Sequence, residues 1–113
     1  MLPTGLVLGV MFASSIHNYR KKMKKVVILN HSVKEYSSWR NVFNEGESDR
    51  LTHSIRTIDV LVDAQAENNV TVFFEVSDMA KFNSFLSSPE LKTAMEAAGV
   101  TSAPDLKVLI SKN

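Results

Sequence analysis

Between Lys25 and Ser111 the spacing of apolar residues switches repeatedly between a period of two and a period of 3.6, and that succession leaves few folds open. Lys25 to Val33 is valine-rich and closes on polar residues, the pattern of a buried strand. From Lys34 the period lengthens. Tyr36, Trp39, Arg40 and Phe43 fall at i, i+3, i+4 and i+7, which puts three aromatics on one helical stripe and predicts a helix to about Asp49 or Thr52. Gly46 lies inside it and weakens it locally, since glycine costs roughly 1 kcal/mol relative to alanine in a helix interior.

Ser54 to Asp63 alternates, with Ile58, Val60 and Val62 on one face and Thr57, Asp59 and Leu61 on the other. Ala64 to Asn69 supplies turn material. Val70, Val72, Phe74 and Val76 then alternate with Thr71, Phe73 and Glu75, so the two runs read as a hairpin. Ser77 or Asp78 can cap a second helix whose stripe is Met79, Phe82, Phe85 and Leu86. Ser88-Pro89-Glu90 restarts that helix, because proline is preorganised for the first helical position and glutamate complements the dipole. Leu91, Met95 and Ala98 turn inward before Gly99, a C-cap, and a last strand runs from Leu106 to Ser111.

The order is β-α-β-β-α-β. It predicts an α+β, ferredoxin-like fold: a four-stranded antiparallel sheet with both helices on one face. The other face carries Leu61 and Phe73 among Thr, Asp and Glu. With 113 residues the chain can bury one core, and a second copy of the sheet is the simplest cover for that face. A homodimer is the expected state.

Residues 2–13 are apolar apart from Thr4, with Pro3, Gly5 and Gly9 interrupting, and are followed by a basic cluster at Arg20, Lys21, Lys22, Lys24 and Lys25. The run is short of the roughly 20 residues a spanning helix needs. Basic residues follow it instead of preceding it, which departs from a secretory signal, although Ala13-Ser14-Ser15 could serve as a cleavage site. Met23-Lys24-Lys25 leads directly into the first strand, so Met23 is a plausible start. The expected division is 1–22 as an extension outside the fold, an interfacial anchor and a cleaved signal remaining alternatives, and 23–113 as one domain. Eight Lys/Arg face twelve Asp/Glu from Val26 onward, and that acidic balance argues against nucleic acid as a partner. The absence of cysteine removes disulfides and thiolate chemistry. A cytoplasmic location is the expectation.

From Val26 to Ile110 the chain resembles the dimeric α/β barrel superfamily, specifically small members related to antibiotic-biosynthesis monooxygenases. The matching segments are His31 to Arg40 with Val42-Phe43, Val70 to Val76, Phe85 to Lys92, and Ala94 to Val100. The resemblance implies two sheets back to back across a twofold axis, with a ligand pocket between each sheet and its own helices. It does not select a chemistry, since relatives include cofactor-poor oxygenases, isomerases and haem-handling proteins. Similar sequences tend to carry a histidine where this one has Gly46, and a glycine turn where it has His53 and Ser54.

His31 is the candidate catalytic residue. It lies in phase with Val27, Leu29 and Val33, on the face that meets the first helix, where it could touch Tyr36 or Trp39. An imidazole against aromatic walls can orient a phenolic or enolic group or act as a base. The plainer reading is a strand-end histidine bonded to a backbone carbonyl. Tyr36, Trp39 and Phe43 are the candidate substrate-binding residues, with ordinary core packing as the alternative. Asp59 and Glu75 fall on the opposite face, where pairing with Arg56 or Lys107 is expected. His17, His31 and His53 show no metal-ligand spacing, and the glycines form no phosphate loop, so neither a metal nor a cofactor is expected. The reading is a noncatalytic small-molecule-binding or stress-related module for a small apolar or aromatic ligand. The alternative is a cofactor-poor monooxygenase or isomerase acting on a small aromatic or enolic substrate. The enzyme reading requires a cavity beside His31, whereas a closed core around Tyr36, Trp39 and Phe43, with the surface doing the work, would favour the noncatalytic module.

Overall fold

Valine at alternate positions places branched side chains on one side of each central strand, and the sheet forms around that stripe. The computed structural model describes residues 25–112; the 1–22 extension, the boundary at Met23 and His17 lie outside them. Strand β1 is Lys25–Ser32, followed by helices α1, Tyr36–Glu45, and α2, Glu47–Thr52. The hairpin is β2, Ile55–Asp63, with β3, Ala66–Val76; then come α3, Met79–Leu86, α4, Pro89–Ala97, and β4, Asp105–Ile110. The four strands stand in the order β2-β3-β1-β4 and every pairing is antiparallel, which is the ferredoxin-like arrangement.

Both helical segments break where sequence chemistry dictates. The first helix divides at Gly46, where the predicted weak point lies. The second divides at Ser88, whose hydroxyl accepts from the Leu91 amide at 3.2 Å with Pro89 in the first turn, and Asp78 caps α3 by accepting from the Lys81 amide at 3.1 Å. Gly99 ends α4 with φ 78° and lies close against Lys34, whose amide donates to the Gly99 carbonyl at 2.8 Å. With the Val33–Val100 bridge, this ties the end of β1 to the end of α4.

The core lies between the sheet and the helices. Val27, Val70, Val72 and Val76 are fully enclosed on the sheet side, and Trp39, Phe82, Phe85 and Ala98 are buried on the helix side. Each such aliphatic side chain contributes roughly 1.5–3 kcal/mol by leaving water.

Two expectations need correction. The hairpin turn is confined to Ala64 and Gln65, with Asp63 opposite Ala66, so Glu67, Asn68 and Asn69 belong to β3. Asp63 Oδ1 accepts from the Gln65 amide at 2.8 Å and tightens the turn without glycine. The phase of β2 also changes midway. A bulge at Ile58 separates the Thr57–Phe74 pair from the Asp59–Phe73 pair, so Thr57 joins Val60 and Val62 on the helix-covered side while Ile58 is 46% exposed. Alternation read from sequence assumes an unbroken pleat, and the extra residue shifts it by one.

Among the described residues no helix is long and apolar enough to cross a membrane.

Candidate functional site

His31 projects from β1 into the space between sheet and helices and is only 5% exposed. Its ring meets the Trp39 indole edge-on, with centroids 5.7 Å apart and planes at 89°. Neither Nδ1 nor Nε2 has a hydrogen-bond partner. The carbonyl bond expected of a plain strand-end histidine is therefore not made. Burial holds the imidazole below its ordinary pKa, so the ring is uncharged at neutral pH.

From Trp39 the aromatic wall continues along α1. Trp39 stacks on Phe43 at 4.8 Å, and Phe43 in turn lies against Phe74 of β3 at 6.2 Å. Opposite them, α3 and α4 contribute Phe82, Phe85, Leu91 and Met95. Together these elements enclose a largely apolar cavity of about 160 Å³. An apolar cavity of that size holds a single aromatic ring. It adjoins a surface groove that shares Leu86, Leu91, Met95, Val100 and Pro104 with it, so the way out runs between α4 and the loop before β4.

The far end of the wall is closed by a residue the sequence reading did not select. Arg50 of α2 is 7% exposed, its Cζ lies 3.7 Å from the centre of the Phe43 ring, and its Nε has no partner. Burial lowers its pKa, opposed by the fields of Glu47 and Asp49, and a guanidinium keeps its charge in proteins. The signal was present: Arg50 continues the spacing of seven from Tyr36 to Phe43.

No protein-family model and no curated protein matches the sequence. Solved structures do match by shape. A protein from Bordetella bronchiseptica described as an antibiotic biosynthesis monooxygenase superposes with a TM-score of 0.67 at 7% identity, over 80% of this chain and 99% of that one. One of the same description from Caulobacter crescentus gives 0.64 at 13%, over 80% and 92%. SnoaB from Streptomyces nogalater, a cofactor-independent oxygenase solved as a variant, gives 0.62 at 14%, over 80% and 94%. The chain shares the ferredoxin-like fold of these proteins.

Within this fold the structure brings together His31, Trp39 and Phe43 and leaves Tyr36 aside. The Tyr36 ring packs on Trp39 at 5.9 Å but faces a shallow outer depression with Lys34, Glu35 and Glu67, and its hydroxyl accepts a long 3.5 Å contact from Arg40. Tyr36 buttresses the wall from behind. Asp59 and Glu75 fall on the open sheet face: Arg56 grips Glu75 through Nε and Nη2 at 3.0 and 2.9 Å, while Asp59 accepts from the Val60 amide at 2.9 Å. Among the described residues no three histidine or acidic side chains converge where a metal could sit.

Proposed function

We propose that this chain binds a small, flat, mostly apolar molecule in the cavity between sheet and helices, with His31 offering the polar contact at one end. The observation that carries this reading is the pair of unpartnered nitrogens on a buried imidazole that lines a cavity. Burying polar atoms without partners costs roughly 1–3 kcal/mol each, a cost a bound ligand offsets when it supplies a donor and an acceptor. The cavity that Trp39 and Phe43 line supports a ligand site.

The protein works as a homodimer in this reading, a second copy covering the open face of the sheet. Leu61 and Leu109 on that face are 46% and 45% exposed, and all six residues of β4 are exposed. Asn30, which donates to Asn69 and Thr71 at 2.9 Å each, gives the face a polar island that would fix how the two sheets align.

A catalytic role is the second reading, and the uncharged state of His31 favours it. A neutral imidazole in an apolar cavity can accept the proton of a phenolic or enolic substrate. SnoaB, described as a cofactor-independent oxygenase, has a similar fold. The two readings separate on His31→Gln. A binding module keeps its ligand with altered affinity. An enzyme keeps binding its substrate but loses turnover.

A further inference from the structure

We propose that Arg50 is a carboxylate receptor, and that the molecule held in the cavity is an aromatic or similarly flat carboxylic acid. This rests on the binding reading above and adds the charge of the ligand. Three features converge on it.

Arg50 is a cation more than nine-tenths buried, and it takes no part in the ion pairs of the described residues, His53 with Asp49 and Arg56 with Glu75. Glu47 and Asp49 stabilise its charge from a distance, Arg40 opposes it, and the Phe43 face supports it. A desolvated guanidinium without an anion is an unstable arrangement that an incoming carboxylate relieves.

The side chain is also aimed and held. Its plane is seated on Phe43, and Gly46 makes room for it: a Cβ at position 46 would stand 3.0 Å from Nη1. The glycine is needed here for space and not for its backbone, whose φ is an ordinary −83°. Nε has no hydrogen-bond partner, and the planar Nε–Nη pair matches the two oxygens of a carboxylate. A lysine at this position would supply charge without the fork.

The placement within the cavity sorts the ligand's parts. Arg50 and the neutral His31 stand at opposite ends of the Trp39–Phe43 wall, so a ring lying against that wall directs its acid toward α2 and its uncharged polar edge toward β1.

The test uses the full chain and two matched probes, salicylate and salicylamide, which share ring and phenol and differ in charge at neutral pH. Trp39 is the only tryptophan, so its indole N–H resonance reports the cavity directly. The expected result is salicylate binding at least about tenfold more tightly than salicylamide, the worth of a charge-assisted hydrogen bond. That preference disappears in Arg50→Met and largely in Arg50→Lys. Gly46→Ala, which displaces Nη1 without removing the charge, weakens salicylate alone. Equal binding of both probes, or a preference that survives Arg50→Met, overturns the carboxylate assignment and leaves the pocket reading standing. An indole resonance that neither probe moves overturns both.

Discussion

The imidazole of His31 stands perpendicular to the indole of Trp39 at 5.7 Å, with both of its nitrogens buried and unpartnered. Its pKa is lowered by burial, so the folded chain resists a proton that the unfolded chain accepts near pH 6.5. Where the unfolded state binds more protons, stability rises with pH. The contribution is therefore fully present above about pH 7 and is lost as the pH falls through the ordinary imidazole value toward the lowered one. Urea melts between about pH 7.5 and 5 should show this loss, and His31→Gln should show less of it. An identical slope in the variant would place the buried proton site elsewhere.

Ser54 holds φ 64°, a left-handed conformation that disfavours any residue with a Cβ by roughly 1–2 kcal/mol. It occupies the turn into β2, where glycine would adopt the same conformation without a Cβ penalty. Ser54→Gly should stabilise the domain by about 1 kcal/mol, raising Tm by roughly 4–8 °C. Thermal denaturation followed by circular dichroism checks it, and a fall in Tm would mean that the serine side chain matters more than the backbone.

Thr57 is carried onto the covered face by the bulge at Ile58, and its hydroxyl is buried without a partner. Thr57→Val keeps the shape and removes the orphaned group, so it should raise stability by about 1 kcal/mol. A destabilised variant in urea titration would show that the hydroxyl is satisfied in solution.

A dimer through the open sheet face makes Leu109 a sensitive position, because it is 45% exposed in the single chain. Leu109→Glu would put charges from both copies into one interface. Sedimentation velocity at tens of micromolar should give a dimer for the parent protein and a folded monomer for the variant. A monomeric parent would contradict the assembly.

The fold was legible because its determinants are local. Caps at Asp78 and Ser88, the stop at Gly99 and the alternation of Val70 to Val76 each act within a few residues, and each is found where its chemistry puts it. The bulge at Ile58 was hidden because nothing in the residue types of β2 distinguishes an inserted residue from a paired one; β3 decides that. The site divides along the same line. His31 and Trp39 face each other because a strand phase and a helix phase, both readable, point them inward. Arg50 was passed over because charge in a helix ordinarily faces water, and only the space left by Gly46 and the Phe43 ring lets it lie inside. Tyr36 shares the stripe of Phe43 but stands nearly two turns nearer the helix start, outside the cavity lining.

The claim on which the account turns is that the cavity beside His31 holds a molecule, and native mass spectrometry of gently purified protein tests it most directly. Ala94 of α4 lines the cavity, so Ala94→Phe serves as a filled control whose fold is checked by its melting curve. The account expects a reproducible mass above that of the bare protein in the parent chain and its loss in the filled variant. A bare parent chain, or an added mass that persists when the cavity is filled, would contradict it.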